Sequence, residues 1–258
     1  MTEMRVASLA SGSKGNAYLV EQGGESILVD CGLSFKVLKS RLEALFGSDM
    51  PRIHGVLLTH SHKDHVSGLR PLVSKLDLTV YANSMTAESA AVQEEIDGAR
   101  FACFENCQPF ALGPFEVESF PVPHDTSDPV GYMIRGKSVY FHATDVGAAL
   151  DSIGTRFAEA EIATLESNHD SEMLHASGRP YDLIRRILGP RGHLSNDESA
   201  DLVRRFASPC LKKLALAHLS QDCNQPHLAR KASLAALDEA KVGAVSLSVL
   251  SQNEPVWL

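Results

Sequence analysis

One six-residue segment constrains this 258-residue chain more than any other part of it. The apolar run Gly55–Thr59 (GVLLT) predicts a buried strand, and residues 60–65 follow it at once with the sequence HSHKDH. Three histidines and one aspartate in six residues are far denser than in an exposed polar turn, which is the alternative interpretation. Loops at strand ends often carry function, and imidazole together with carboxylate suits Zn, Mn or Fe. The segment therefore predicts a fold built around a metal site.

Three further candidate ligands, His124, Asp145 and His218, each follow a predicted strand. A lone histidine in such a place is more often a capping or core residue. The shared position of the three after strands, together with the dense segment at 60–65, favours ligands instead. The chain also contains 11 histidines, a high count that favours metal chemistry.

Four other polar residues near these candidates are expected to be structural. Alternation along its predicted strand places His142 in the core, and His54 lies at a strand edge. Asp125 and Asp128 are expected to cap the turn after His124 rather than to bind metal.

The rest of the sequence alternates strands with single helices. Apolar spacing predicts helices at Phe35–Phe46, Leu69–Leu76, Met85–Ile96, Tyr181–Leu188, Asp197–Phe206 and Pro226–Ala240, with Ser195 or Asn196 as the N-cap of the fifth. Short apolar runs predict strands at Met4–Ala10, Tyr18–Glu21, Ser26–Asp30, Gly55–Thr59, Thr79–Ala82, Phe115–Val122, Gly131–Ile134, Ser138–His142, Ile162–Glu166, Leu211–Ala217 and Val245–Val249. No internal repeat or linker-like stretch divides the sequence, so we expect one α/β domain over residues 1–258, with sheets covered by helices.

The charge of the chain bears on its partners. The formal net charge is −8, which argues against a general polyanion binder, although a local basic patch could still bind nucleic acid. Residues 175–213 offer such a patch, since eight basic against four acidic side chains give this segment a net charge of +4. The alternative is that these charges merely solvate helix faces.

The cysteines and the apolar runs bear on location. Five scattered cysteines, with no basic-then-apolar leader at the N-terminus, predict reduced thiols in the cytoplasm. The longest apolar runs are far shorter than a membrane span, so we expect no membrane association. We also infer no obligate protein partner.

The segment HSHKDH, followed in order by His124, Asp145 and His218, resembles the metallo-β-lactamase fold superfamily. Asp30 in LVDCG matches the first motif of that superfamily, a structural aspartate beneath the metal loop. The resemblance covers nearly the whole chain and implies an αββα sandwich, in which two mixed sheets are flanked by helices and a two-metal site lies at the edge between the sheets. By the family pattern, one ion is held by His60, His62 and His124, the second by Asp64, His65 and His218, and both by Asp145.

Several sequence motifs narrow the resemblance to one branch, the YycJ/WalJ group, which is similar to tRNase Z-type phosphodiesterases. The motifs are SLASGSKGNAYLV, LLTHSHKDHVSGL, LESNHD, GHLSN and LAHLSQDCN. The resemblance implies a DNA exonuclease acting 5′→3′. It also pairs Glu166 of LESNHD with His193 of GHLSN, which would give a proton to the leaving oxygen, while His169 is a rival donor. The predicted catalytic residues are therefore Asp64, Glu166 and His193.

The predicted cofactors are two divalent metal ions, Zn²⁺ or Mn²⁺, with Fe as a third candidate. A metal-bridging hydroxide forms near neutral pH, and the superfamily directs it at phosphodiesters, amides, lactones or thioesters. The first hypothesis is a dinuclear phosphodiesterase whose substrate is nucleic acid, and DNA in particular. The alternatives are a small-molecule thioester or lactone hydrolase of the glyoxalase II type, which the acidic net charge favours, and a non-catalytic flavodiiron-like module.

The glycine-rich segment at residues 11–16 (SGSKGN) has two open interpretations. It lacks the spacing of a nucleotide-binding P-loop. Its backbone N–H groups, with Ser11, Ser13 and Asn16, could form a nest for a phosphate, or the segment could be a tight turn between strands.

Overall fold

The computed structural model describes residues 3–47 and 49–258 of the chain. Within these residues it contains fourteen β-strands and nine α-helices. The strands are β1 (Arg5–Ala10), β2 (Ala17–Gln22), β3 (Glu25–Val29), β4 (Arg52–Leu57), β5 (Val80–Asn83), β6 (Phe101–Phe104), β7 (Phe110–Leu112), β8 (Phe115–Pro121), β9 (Val130–Arg135), β10 (Val139–Ala143), β11 (Ile162–Glu166), β12 (Lys213–Ala217), β13 (Ser246–Val249) and β14 (Val256–Trp257). The helices are α1 (Phe35–Phe46), α2 (Lys63–Val66), α3 (Leu69–Leu76), α4 (Ser84–Gln93), α5 (Asp151–Phe157), α6 (Ser171–Ala176), α7 (Tyr181–Ile187), α8 (Asn196–Phe206) and α9 (Pro226–Ala240).

The strands form two mixed sheets of seven strands each. The first has the order β14-β1-β2-β3-β4-β5-β6 and the second the order β13-β12-β11-β10-β9-β8-β7. Strands β3 to β6 run parallel in the first sheet and β10 to β13 in the second. Because parallel strands end at the same edge of a sheet, the segments that follow them are gathered there. The predicted pair of mixed sheets flanked by helices is confirmed.

The chain divides into two compact units. Unit 1 comprises Met1–Pro121, Thr126–Ser138 and Ser251–Leu258, and unit 2 comprises Val122–Asp125 and Val139–Leu250. Unit 1 therefore contains the whole first sheet and strands β7 to β9, whereas unit 2 contains strands β10 to β13. That the chain forms one domain stays a prediction.

The core of unit 1 forms because its central strands are apolar on nearly every residue. Strands β1 and β2 are buried along almost their full length. Helix α1 buries Leu38 and Leu42, which are four residues apart and so lie on one helix face, and α3 buries Leu69, Leu72 and Val73. Burying one such side chain contributes roughly 1.5–3 kcal/mol to the free energy of folding. These buried faces therefore hold α1 and α3 against the core of unit 1, which also contains the HSHKDH segment.

Unit 2 is organised around strand β11, which is buried along its whole length. Its sequence, IATLE, permits this only if the carboxylate of Glu166 finds partners inside the protein. Helix α8 begins at a capping box, in which Ser195 and Glu198 each accept a hydrogen bond from the other's backbone N–H. The predicted N-cap at Ser195 is thereby confirmed.

Most predicted elements are present, and the deviations have local causes. Helices α1, α3 and α9 and strand β11 have the predicted bounds. The strand predicted at Gly55–Thr59 instead ends at Leu57, because the N–H of Thr59 leaves the sheet and donates to the Asp30 carboxylate (2.9 Å). The sequence does not predict α2, α5, α6, β6, β7 or β14, which are too short to show a periodicity. Among the described residues, no helix combines the length and the apolar character that crossing a bilayer requires.

Candidate metal centre

In unit 1, four predicted ligands lie together on the segment that follows strand β4; we call them the loop cluster. They are His60, His62, Asp64 and His65. His62 is the N-cap of the short helix α2, so Asp64 and His65 fall in its first turn. The ring centroid of His60 lies 4.8 Å from that of His62 and 4.1 Å from that of His65. The structure therefore brings these four residues together as the sequence predicts.

A buried carboxylate, Asp30, orients the loop cluster. Asp30 has a left-handed backbone (φ 61°) and is fully buried. It accepts hydrogen bonds from the N–H and hydroxyl of Thr59 (2.9 and 2.8 Å) and from Nδ1 of His65 (2.7 Å). Because the Thr59 hydroxyl donates to Asp30, it accepts from Nδ1 of His60 (2.9 Å). In both histidines Nε2 therefore carries the lone pair that a metal requires.

In unit 2, a second group of predicted site residues lies at or after the ends of strands β8, β10, β11 and β12 and in the segment between α7 and α8; we call it the strand-end cluster. Its members are His124, Asp145, Glu166, His193 and His218. Asp145, Glu166, His193 and His218 each offer a ligand atom within 4.8 Å of the other three. Asp145 and His218 both have left-handed backbones (φ 57° and 55°), a strain that non-glycine residues show mainly at functional sites.

Glu166 is the centre of the strand-end cluster. Its oxygens accept from the backbone N–H groups of Asp145 (3.2 Å), Val146 (2.8 Å) and Leu194 (3.0 Å) and from Nδ1 of His193 (3.0 Å) and of His218 (2.8 Å). Burial alone would raise the pKa of this carboxyl, but the charge and hydrogen bond of His193 and the hydrogen bond of His218 outweigh burial and lower the pKa to about 2. Glu166 is therefore an anion that holds two imidazoles by Nδ1.

His193 differs from the other imidazoles of the strand-end cluster because it reaches solvent. Its side chain is 22% exposed, and Nδ1 lies 3.0 Å from the Glu166 carboxylate and 3.7 Å from that of Asp145. Burial lowers the pKa of His193, but the charge and hydrogen bond of Glu166 and the charge of Asp145 raise it by more. A partly exposed imidazole with a raised pKa is suited to give a proton to a bound substrate.

His169, the rival proton donor, lies in a different environment. It is fully buried, and neither ring nitrogen has a hydrogen-bond partner among residues 3–47 and 49–258. Burial lowers the pKa of its imidazole despite the nearby carboxylate of Glu166. The geometry therefore favours His193 over His169 as the donor.

His124 is held through Nδ1, as His60, His65 and His218 are. Its Nδ1 lies 3.0 Å from the carbonyl oxygen of Gly192, and its Nε2 lies 3.6 Å from the Asp145 carboxylate. A carbonyl can only accept, so Nδ1 donates and Nε2 keeps the lone pair. Neutral imidazoles presented by Nε2, together with carboxylates, are the donor chemistry of divalent metal ions, and both clusters fit such ions.

The residues expected to be structural do take structural contacts. His142 is fully buried in unit 2, with Nδ1 3.0 Å from the hydroxyl of Tyr140. His54 pairs with Glu25 in unit 1. The remaining two make polar contacts: Asp125 accepts from Arg186 (2.5 Å), and Asp128 accepts from the amide of Asn106 (3.0 Å).

The glycine-rich segment at 11–16 is a tight turn, and five of its six backbone N–H groups donate within the protein. The donors and their acceptors are Ser11 to Ser251 O (3.1 Å), Gly12 to Asn16 Oδ1 (2.9 Å), Lys14 to Gln252 Oε1 (2.8 Å), Gly15 to Gly12 O (3.1 Å) and Asn16 to Asp64 O (2.7 Å). A phosphate nest needs these groups to point outward, so the phosphate-binding interpretation is wrong for them.

The basic segment 175–213 is largely neutralised by acids elsewhere in unit 2. The pairs are Arg179 with Asp222, Arg186 with Asp125, Arg204 with Glu239, Arg205 with Asp151 and Lys212 with Glu161. Arg185 is exposed and makes no ion pair within the described part of the chain. The structure thus supports the helix-solvating interpretation for most of these charges.

Two contacts at these clusters escape sequence reasoning. Glu166 is expected to orient one imidazole, yet it also holds His218 and three backbone N–H groups. Asn16 lies against Asp64 and His65, 48 and 49 residues along the chain. The only sequence signal for the second contact is the glycine-rich turn itself.

Comparison with known proteins places this arrangement in a family. Residues 25–218 match the model of the beta-lactamase superfamily domain. The exodeoxyribonuclease WalJ of Streptococcus pneumoniae serotype 2 (strain D39 / NCTC 7466) is 33% identical over 239 residues, covering 91% of this chain and 88% of the relative. The exodeoxyribonuclease YycJ of Bacillus anthracis is 34% identical over 252 residues, covering 96% and 94%. The chain belongs to the metallo-β-lactamase superfamily, in its WalJ/YycJ branch.

A solved structure agrees on the fold. The metallo-β-lactamase fold protein YhfI of Bacillus subtilis aligns over 100% of both chains with a TM-score of 0.71 and 20% sequence identity. The predicted metallo-β-lactamase fold is therefore confirmed, as is the predicted branch of the superfamily.

Proposed function

We propose that this chain is a metal-dependent hydrolase of DNA, an exodeoxyribonuclease that acts 5′→3′. The observation that carries the proposal is the Glu166–His193 pair, because a partly exposed imidazole held by a buried carboxylate can protonate a leaving alkoxide. The WalJ and YycJ relatives are named exodeoxyribonucleases, which supports exonuclease activity on DNA.

We propose that the loop cluster and the strand-end cluster together supply the metal ligands of a single catalytic domain. The support is that His60, His65, His124 and His218 each have Nδ1 at hydrogen-bond distance from a protein oxygen. The proposed ions are two divalent metals, Zn²⁺ or Mn²⁺. The proposed ligands are His60, His62, Asp64, His65, His124, Asp145 and His218, with Asp145 shared between both ions.

Bound divalent ions lower the pKa of water and neutralise charge on a phosphodiester, which is the chemistry they supply here. The residues of the chain do the rest. His193, with its raised pKa, donates the proton that the leaving 3′ or 5′ oxygen needs, and Glu166 keeps the imidazole oriented and charged. Asp64 lies beside His65, and its side chain is 24% exposed. We propose it as the carboxylate of the loop cluster that lies next to the substrate.

The proposed location is the cytoplasm, supported by five cysteines of which none forms a disulfide. No obligate protein partner is needed for the proposed reaction.

One observation favours a second candidate, a thioester or lactone hydrolase. The net charge is −8, and most of the basic segment is paired with carboxylates, so little positive surface in that segment is available to a phosphate backbone.

The test is parallel hydrolysis of bis-p-nitrophenyl phosphate, a thioester and a lactone, with and without added Mn²⁺. Metal-dependent turnover of the phosphodiester, well above that of the other two, is expected. Faster turnover of the thioester or lactone would favour the second candidate.

A further inference from the structure

We propose that Asn16, in the turn between β1 and β2, is a positioning residue that holds Asp64 in the orientation it needs as a metal ligand. The inference rests on the proposed function, because it takes Asp64 as a ligand. It assigns the glycine-rich turn a role inside the site, in place of phosphate binding.

The side-chain amide of Asn16 lies between the two candidate ligands. Asn16 is fully buried in unit 1. Its Nδ2 lies 3.0 Å from Nε2 of His65, 3.3 Å from Oδ2 of Asp64 and 3.1 Å from the carbonyl oxygen of Gly12. Its backbone N–H donates to the carbonyl oxygen of Asp64 (2.7 Å). Asn16 therefore touches both the backbone and the side chain of Asp64 and the ring of His65.

The orientation of this amide is fixed by the turn. Oδ1 of Asn16 accepts the N–H of Gly12 (2.9 Å), which leaves Nδ2 to face Asp64 and His65. The flipped amide would place an acceptor against the carboxylate of Asp64, which is also an acceptor. Nδ2 is thus the group presented to the ligands.

The tautomer of His65 is set by Asp30, and the contact with Asn16 is compatible with it. Asp30 can only accept, so Nδ1 of His65 carries the proton (2.7 Å). Nδ2 of Asn16 can only donate, so Nε2 of His65 carries the lone pair. Metal ligation needs that lone pair, and a partner on the far nitrogen is the usual device that fixes it. Because a metal ion and the Asn16 amide would compete for that lone pair, Asn16 does not position the His65 ring. The Asp64 carboxylate has further lone pairs, so Asn16 can hold Oδ2 of Asp64 (3.3 Å) and limit rotation of that side chain while a metal is bound.

The turn that carries Asn16 is braced on two sides. A Cβ on Gly32 would lie 1.7 Å from the carbonyl oxygen of Asp64, so only glycine allows the backbones to approach this closely. On the other side, Gln252 accepts from the N–H of Lys14 (2.8 Å) and donates to the carbonyl oxygen of Gly15 (2.8 Å). A rigid turn is what a positioning residue requires, since its own movement would pass to the ligands.

The test measures metal binding rather than activity. Metal-stripped wild-type protein and the variant Asn16→Ala are titrated with Co²⁺. The visible absorption spectrum is recorded after each added equivalent of Co²⁺. We expect the first equivalent to bind both proteins alike. The second equivalent should bind Asn16→Ala on the order of 10–100-fold more weakly, the loss typical when a residue that orients a ligand is removed. Its absorption band should also change, because the geometry of one ligand, Asp64, is affected.

A matched control separates this effect from a general loss of stability. Asn83 is another buried asparagine of unit 1, whose side chain caps α4 and donates to the carbonyl oxygen of Asp128 (2.7 Å). Asn83→Ala should lower the unfolding temperature but bind both equivalents as wild type does. Asn16→Ser, which keeps a hydroxyl to accept from the turn, gives a second variant in case Asn16→Ala does not fold.

The possible results distinguish a failure of this inference from a failure of the proposed function. Wild-type affinity for the second equivalent in both Asn16 variants, or an equal loss in Asn83→Ala, would overturn the role of Asn16. If the wild type cleaves DNA while Asn16→Ala and Asn16→Ser bind metal normally, the inference is wrong and the proposed function stands. If the wild type binds two equivalents but hydrolyses no phosphodiester, while the Asn16 variants lose the second, the inference stands and the proposed function is wrong.

Discussion

The loop cluster and the strand-end cluster present similar side chains, but they are assembled differently. The loop cluster comes from six consecutive residues after β4, so one backbone segment sets all its members. The strand-end cluster comes from segments that follow several different strands, and its members are as far apart as His124 and His218 in sequence. The first depends on local geometry and the second on the register of the parallel strands.

In each cluster one fully buried carboxylate accepts hydrogen bonds from at least one imidazole. The two carboxylates differ in how many hydrogen bonds they accept. Within residues 3–47 and 49–258, Asp30 accepts from three donors, two on Thr59 and one on His65. Glu166 accepts from five donors and joins two backbone segments, residues 145–146 and Leu194, to two imidazoles. A contiguous cluster needs one hydrogen-bonding support, whereas a dispersed cluster needs an acceptor that also holds its segments together. The strand-end cluster should therefore couple activity to stability more strongly.

The largest expected effect comes from the strand-end cluster, at the proposed shared ligand. Asp145→Ala should reduce activity to the uncatalysed background, because one carboxylate is proposed to serve both ions. His54→Ala, which removes a histidine outside both clusters, should change activity less than about twofold. The measurement is the rate of DNA hydrolysis at saturating metal. Comparable losses in the two variants would mean that the ligand assignment is wrong.

A somewhat smaller effect is expected at His193. His193→Ala should keep both metal equivalents and lower kcat by about 10²–10⁴-fold for DNA, as is typical when a general acid is lost. A substrate with a p-nitrophenolate leaving group needs little protonation and should lose much less. The ratio of the two rates in the variant is the decisive quantity. An equal fall for both substrates, or loss of a metal equivalent, would show that His193 is structural or a ligand.

Glu166 should reveal the coupling of the strand-end cluster to stability. The pKa of Glu166 falls from its ordinary 4.5 to about 2 in the folded protein, so its contribution is complete above pH 4.5 and is lost as the pH falls towards 2. A shift of this size corresponds to about 3 kcal/mol in the free energy of unfolding. The contribution of His193, whose pKa is raised, is also stabilising but has the opposite pH dependence, because it is complete at low pH and is lost as the pH rises through that raised pKa.

Glu166→Gln is the variant that tests this coupling, by denaturant unfolding of metal-stripped protein between pH 2 and pH 7. The variant should be destabilised at pH 7, since its amide donates where the carboxylate accepts, and should approach wild type near pH 2. Asp30→Asn is the matched change in the loop cluster and should cost less, because fewer donors are affected. A pH-independent loss in Glu166→Gln would contradict the proposed anion.

The smallest expected effect concerns the basic segment. Arg185 is exposed without an ion pair in the described residues, whereas Arg204 pairs with Glu239 (2.6 Å). If DNA binds along helix α7, which carries Arg185, then Arg185→Ala should reduce the slope of log affinity against log salt concentration by about 1. Arg204→Ala, in helix α8, should leave that slope nearly unchanged. Fluorescence anisotropy with labelled DNA measures both. Equal slopes in all three proteins would exclude α7 from the DNA-binding surface.

The same contrast explains what the sequence can predict. The loop cluster is visible because four ligand types fall in one short segment, and helices α1, α3 and α9 are visible from long apolar periodicities. The capping box of Ser195 is equally local. Glu166 and Asn16 are different, because their partners lie far along the chain. Periodicity and spacing do not report such contacts, and only the resemblance to a family points to Glu166.

The central claim, a metal-dependent 5′→3′ exodeoxyribonuclease, is tested most directly with end-labelled DNA. Single and double strands carrying a label at the 5′ or the 3′ end are incubated with metal-stripped and metal-restored protein. With metal restored, we expect early release of the 5′ label in short products, while the 3′ label stays on strands that shorten gradually. Stripped protein should release neither. Cleavage at internal positions, release from the 3′ end first, or the same activity with and without metal would contradict the account.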